Sequence, residues 1–244
     1  MNKINIVNNE LKLISVDEKI EYNFEINDKY GINTLDLIIK DMPLVPRAEK
    51  NIETIEVSGR NGNLHIDNQN YLSRSYTITC IAKNKDKIDD MNSKLCGTGK
   101  LTLSKYSDRY FNATFKNQID YSSYLTILQE FPIQFELDPI AYSNELTEEV
   151  ITANGNIEVG GNVDVAPTII VTGTGNITIN GDLLTVEESG ITIDCELMNC
   201  IKDNLNKNDK VILEEFPKLS VGSNNITLSE GITEIKIKYR KGWL

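Results

Sequence analysis

Residues Glu214–Leu244 read EEFPKLSVGSNNITLSEGITEIKIKYRKGWL. Phe216-Pro217, Leu219, Gly222, Asn225 and Ile226 punctuate one strand, and Ile232, Ile235, Ile237 and Tyr239 alternate along a second that runs on to Trp243. Apolar side chains at every second residue turn one face of a strand to a core and leave the other to solvent. The stretch therefore reads as the close of an antiparallel β-sandwich. It carries no catalytic group, and Phe216, Pro217, Gly222 and Trp243 are expected to act as structural anchors in it.

Upstream the same text continues. NELTEEVITA, GNIEVGG, NVDVAPTIIVTG, GNITING, DLLTVEE and GITIDCELM are short strands separated by Gly and Asn. Turn signals recur about every eight to twelve residues, the spacing of an antiparallel sandwich or jelly roll. GNIEVGGN and GNITINGD look like a repeat, but without a third copy they are convergent hairpin text. Asp138-Pro139 breaks the strand pattern and the polar IAYSNELTEEV follows, so the domain boundary is expected near Tyr142, dividing the chain into residues 1–141 and 142–244.

The first half is also strand-rich, with INIVNN, ELKLIS, KIEYNFEI and TLDLIIKD before Asp41. Pro43 and Pro46 exclude a central strand and point to an exposed edge or loop. Ile52, Ile55 and Val57 lead into Ser58-Gly59-Arg60-Asn61-Gly62. Asn61-Gly62 is a tight-turn signal because both residues tolerate positive φ, so a β-hairpin is expected. SRSYTITCIA is a further strand, after which the period changes. Ile88, Met91 and Leu95 fall on one helical face. The helix is expected over about residues 86–96, with Asp86 as N-cap, Asp89 as its acidic partner and Gly97 as the stop. Strands resume in KLTLSK, RYFNATFKNQID and SSYLTILQEFPIQFELD.

The chain has 244 residues, 40% hydrophobic and 25% charged, an ordinary globular composition that allows one large or two ordinary domains. No apolar run approaches a membrane span, so no membrane anchor is expected. The start MNKINIVNNELK lacks the basic and apolar regions of a signal peptide, and an unprocessed cytoplasmic product is expected. A net charge of -11 argues against tight nucleic-acid binding, which needs a basic surface. Cys80, Cys96, Cys195 and Cys200 are too few and too dispersed for a disulfide framework, and Cys195 and Cys200 have no second pair or histidine to complete a zinc site. Cys80 and Cys195 close apolar runs and read as buried thiols.

Chemistry is sparse. The single histidine, His65, lies after the Asn61-Gly62 turn and reads as a solvated strand residue; no G-x-S-x-G motif offers it a nucleophile. Glu148-Glu149, Glu187-Glu188 and Glu214-Glu215 read as solvated charges at strand ends. DNQN (67–70) and KDNLNKND (202–209) lack EF-hand spacing and read as turns. Neither Gly59-x-x-Gly62 nor Gly173-x-Gly175 sits between a strand and a helix as a phosphate loop must. No enzyme activity, cofactor or metal is expected.

Three separated stretches resemble the distal tail proteins (Dit family) of siphophages, prophages and tailocin-like particles. IEVSGRNGNL (55–64) is similar to the family's vPGRdG.l hairpin, with Ser58 where a proline is usual. The lone helix follows, with GTGKLTLSKYSDRYFNATFKNQIDY and FPIQFELDPIAYS; ITIDCELMNC and the closing stretch, similar to FP.L..G.N.I, complete the series. The resemblance implies a mainly β protein. Its N-terminal domain would be a β-sandwich or split barrel with one short helix, assembling as a hexameric ring. Its C-terminal domain would be a galectin-like or carbohydrate-module-like antiparallel β-sandwich facing outward.

The implied role is a hub in the virion tail, made in the host cytoplasm, that joins the tail tube protein to the baseplate hub or tail-associated protein and offers a dock for receptor-binding proteins. DNA would pass through an acidic lumen without specific binding. Given a ring, the irregular Pro43–Glu53 segment and the Ser58–Leu64 hairpin are expected at its interface, with Pro43, Pro46, Arg47, Gly59, Arg60, Asn61 and Gly62 as candidate residues. A carbohydrate-binding β-sandwich adhesin is the alternative. Sugar sites usually present exposed aromatics, and the second half beyond Tyr142 has only Phe216, Tyr239 and Trp243, all in the closing stretch.

Overall fold

The structure is a computed structural model that describes residues 3–7, 10–14, 22–82, 88–116 and 130–244. It is nearly all β, with one α-helix among the described residues. In chain order come the hairpin β1 (Lys3–Val7) and β2 (Glu10–Ile14), then β3 (Phe24–Ile26), β4 (Tyr30–Gly31), β5 (Leu37–Asp41), β6 (Lys50–Ile55), β7 (Leu64–Tyr71) and β8 (Arg74–Ala82). Helix α1 (Ile88–Lys94) precedes β9 (Thr98–Leu103), β10 (Tyr106–Phe115) and β11 (Glu130–Ser143). The expected Asp86 cap and the strand text before Glu130 lie outside the described residues. Met91 and Leu95 of the helical stripe are buried against the first core.

That core is covered by one sheet in the order β4-β3-β9-β10-β11-β8-β5. Its centre is the β8–β11 ladder, where Cys80, Ile78 and Tyr76 lie opposite Phe131, Ile133 and Phe135. All six side chains are buried, because both strands alternate in phase and every second residue faces the same core. Asp138-Pro139 does not end the strand, as the sequence suggests. The register against β10 shifts between Phe111 and Ala113, and β11 continues through the irregularity to Ser143. A bulge frees a residue from the ladder and so accommodates a proline that has no N–H to donate.

Beyond Ser143 lie β12 (Thr147–Ile151), β13 (Gly155–Val159), β14 (Thr168–Gly173), β15 (Gly175–Ile179), β16 (Asp182–Val186), β17 (Ile191–Asp194), β18 (Asn199–Lys202), β19 (Leu205–Asn206), β20 (Val211–Leu213), β21 (Gly222–Leu228), β22 (Ile232–Tyr239) and β23 (Gly242–Trp243). Two antiparallel sheets, β12-β22-β14-β17-β18-β19 and β13-β21-β15-β16-β20, enclose a second core. Ile169, Val171, Ile193, Ile235 and Ile237 come from the first sheet, and Ile157, Ile177, Ile179, Leu184 and Ile226 from the second. The two GNI segments are the strands that flank β21 on either side, β13 and β15. Asn180-Gly181 connects β15 to β16 with both residues at positive φ, the requirement of a two-residue hairpin turn.

Asn224 is fully buried between these turns. Its amide donates to the Ser220 and Gly222 carbonyls and accepts from the Ser220 N–H and the Asn180 amide, so its polar cost is met. Cys80, Cys195 and Cys200 are buried and Cys96 is exposed, all as free thiols; burial pushes Cys80 and Cys195 up to about 12.

Glu187-Glu188 is more than a solvated pair. Glu188 accepts hydrogen bonds from Lys202 at 2.8 Å and Lys207 at 3.0 Å, which hold its carboxyl down at about 2 against an ordinary value of 4.5. A carboxylate lowered by the fold contributes stability that is present above its ordinary value and lost as pH falls through the folded one. Glu188→Gln is therefore expected to be less stable than wild type near neutrality, with the gap closing between pH 4.5 and about 2. Denaturant titrations followed by circular dichroism at several pH values check this. A gap that does not change with pH rules it out.

The last strand overturns part of the reading of the closing stretch. β21 and β22 do complete the second sandwich, but β23 leaves it and pairs with β11, placing Trp243 opposite Ala141 and Gly242 opposite Tyr142. The joint is tied further by hydrogen bonds from Ser143 N to the Lys241 carbonyl, Asn162 N to the Gly242 carbonyl and Arg240 to the Ser143 carbonyl.

Candidate assembly interface

Between β5 and β6 the chain is irregular yet held. The Pro43 carbonyl accepts from the Tyr76 hydroxyl at 2.8 Å, the Pro46 carbonyl from Arg74 at 2.7 Å, and the Met42 carbonyl from the Lys105 ammonium. Met42 and Ala48 are buried, so the segment is clamped at both ends. Between the clamps Pro43, Leu44, Pro46 and Arg47 face solvent, with Leu44 71% exposed.

β6 and β7 then form a separate two-stranded ribbon. The expected hairpin is present, but its loop spans residues 56–63 and Asn61-Gly62 is not a two-residue turn. Gly59 and Gly62 both have positive φ, and an added Cβ at either would meet nothing within 4 Å, so the tip stands open. Arg60 and Asn61 are exposed beside them. DNQN lies within β7 and is not a turn; Gln69, at positive φ, takes up the irregularity there, and its N–H donates to Asp67.

Directly opposed residues of an antiparallel pair share a face. The register places Ile55 with Leu64 and Glu53 with Ile66 on one face, and Thr54 with His65 and Ile52 with Asp67 on the other. One face therefore carries Ile55, Leu64 and Ile66 beside Glu53, with Leu64 37% and Ile66 40% exposed. The other is mixed: Thr54 and His65 lie 3.2 Å apart and Lys50 pairs with Asp67. Two-stranded ribbons are marginal in water, and each strand of this one has one edge unpaired among the described residues. An exposed apolar ribbon with open edges is suited to association.

The apolar strip was not legible in the sequence. Its residues alternate like those of any half-buried strand, and only the absence of a covering layer among the described residues distinguishes them. The candidate residues fall into two groups. Pro43, Pro46 and Arg47 lie on the clamped segment, and Gly59 to Gly62 at the ribbon tip. Of the candidate anchors, Pro217 is buried and Phe216 is partly buried against the second core. Gly222 takes positive φ. Trp243 carries Arg109 stacked 3.9 Å from its ring centre.

No protein-family profile matches the sequence, and no curated protein does either. Among solved structures, the chain is similar to the SPP1 Dit (gp 19.1) protein, described as a paradigm of hub adsorption apparatus in Gram-positive infecting phages. The likeness has a TM-score of 0.70 at 10% identity and covers 99% of that chain. Over 91% of its own length, this chain shares the fold of that Dit protein.

Proposed function

We propose that this chain is a structural protein of a phage tail, a hexameric ring hub in the virion that joins the tail tube to the baseplate and offers a platform for receptor-binding proteins. The observation that carries this is the fold shared with SPP1 Dit across nearly the whole of both chains. Residues 1–141 are the ring-forming domain and residues 142–244 the outer sandwich, a division supported by the two separate hydrophobic cores. The role is structural and not enzymatic. With a net charge of -11 the chain as a whole disfavours a polyanion, so DNA passes the ring without being held.

Ring contacts fall on the ribbon and the clamped segment. The apolar strip of Ile55, Leu64 and Ile66 covers a neighbouring copy, while Arg60 at the tip and Pro43, Pro46 and Arg47 flank the contact. A ring uses heterologous contacts that close by rotation, which open strand edges and an unpaired apolar face can supply. Mass measurement of the full chain in solution tests this. Wild type is expected to give the mass of a hexamer, and the double variant Leu64→Glu, Ile66→Glu and the charge reversal Arg60→Glu that of a folded monomer. A hexamer that survives these changes removes the ribbon from the interface. A wild-type monomer retained on a glycan column overturns the hub in favour of an adhesin.

A further inference from the structure

At the joint between the two cores lies a cleft of about 410 Å³, distinct from the apolar strip of the ribbon. Three guanidinium groups line it, those of Arg47, Arg74 and Arg109, with Trp243 and Asn162. No Asp or Glu side chain among the described residues lines it. In a chain with 36 acidic and 25 basic residues, such a concentration of positive charge arises from the fold and not from composition.

Arg74 is the unusual member. It is 8% exposed, and its two terminal nitrogens donate to the Pro46 and Pro139 carbonyls, while its Nε has no partner. Its guanidinium lies 5.5 Å over the Phe111 ring, and burial pulls it below its ordinary value. Buried charges are normally paired with a counter-charge, and a nearly buried guanidinium held only by carbonyls is costly to keep charged.

The rim supplies what a ligand needs. Arg47 is exposed and makes no ion pair among the described residues. Arg109 spends Nε and one terminal nitrogen on the adjacent Asp108, and its guanidinium lies 3.9 Å from the Trp243 ring centre. The Asn162 oxygen accepts from the Leu244 N–H, which leaves its amide nitrogen as a donor. Planar guanidinium forks match carboxylate and phosphate oxygens in pairs, which lysine ammonium groups do not.

We propose that this cleft binds an oxyanion, a carboxylate or phosphate group carried by a small molecule or a side chain, which supplies Arg74 with counter-charge and is held by Arg47 and Arg109. The cleft falls within the usual range of ligand pockets, roughly 300–1,000 Å³, so the anionic group arrives on a larger body. Oxyanion binding at the cleft does not require the ring.

Trp243 is the only tryptophan, so its fluorescence reports on the cleft directly. The full chain is titrated with sodium phosphate and, separately, with sodium acetate, each against sodium chloride at constant ionic strength. A saturable change with either anion is expected. Saturation with phosphate alone assigns a phosphoryl source, with acetate alone a carboxylate source, and with both a general oxyanion site. Arg47→Gln, at an exposed position, is expected to weaken binding about tenfold by removing one charge-assisted pair, and to do so whether or not its mass in solution matches that of wild type. Arg109→Gln is expected to do the same. The proposal is overturned if neither anion exceeds the chloride response, or if Arg47→Gln titrates as wild type does.

Discussion

Replacing Phe135 with alanine is expected to lower the unfolding free energy by about 4 kcal/mol, within the range for truncating a buried phenylalanine. Phe135 is completely buried at the middle of β11 and lies opposite Tyr76 of β8. Its ring meets Phe115 at 4.7 Å and Phe24 edge-on at 6.2 Å, so truncation removes contacts to three strands of one sheet. Aromatic pairs of this geometry add to the loss from burial. Urea denaturation followed by circular dichroism checks the value. Ile237→Ala, equally buried in the second core, is the companion measurement. Each variant is expected to shift the transition of its own core and leave the other in place. A Phe135→Ala midpoint equal to wild type would reject a central place for β11 in the first core.

The second large effect is expected at Gly161. It has φ +109, a conformation that side chains rarely adopt, and a Cβ there would lie 2.4 Å from the Gly242 carbonyl oxygen and 3.1 Å from the Gly242 nitrogen. Both obstacles are backbone, so no rotamer change relieves them. Gly161→Ala is expected to cost about 3 kcal/mol, from the backbone strain together with the overpacking. Relief comes by detaching β23 from β11, which frees Trp243 from its stack with Arg109. A red-shifted tryptophan emission with the β-sheet signal retained is therefore expected. Gly59→Ala is the control, since it shares positive φ but meets nothing within 4 Å, and it is expected to cost only about 1 kcal/mol. Equal losses at the two positions would mean that the close approach at the joint does not matter.

Period-two alternation marks β8, β11, β14, β21 and β22, because inside or outside is a local property of a strand with one buried face. Change of period marks the helix, and turn chemistry marks Asn180-Gly181 and the ribbon between β6 and β7. The burial of Cys80 and Cys195 also follows from the apolar runs they close. The expectations that fail share one cause. Pro139 reads as a strand end because the sequence shows a missing N–H but not whether a bulge in its own strand makes that N–H unnecessary. Glu188 reads as solvated because its two lysines lie 14 and 19 residues away on other elements.

The candidate site was legible only in outline. Proline and glycine place the irregular segment and the ribbon, but the exposure of Leu64 and Ile66, beside the half-buried Ile55, depends on no other layer packing over them among the described residues. The arginine cleft leaves no local signal, since Arg47, Arg74 and Arg109 are far apart in the chain and meet only where β23 returns to β11. By itself the sequence determined that this is a β protein and which face of most strands is apolar, because those are properties of neighbouring residues. Only the tertiary structure decided which strands pair, that the closing Gly242–Trp243 belongs to the first sheet and not to the sandwich it follows, and where charge gathers. Pairing is settled by contacts between residues as distant in the chain as Ala141 and Trp243, and no local pattern encodes them.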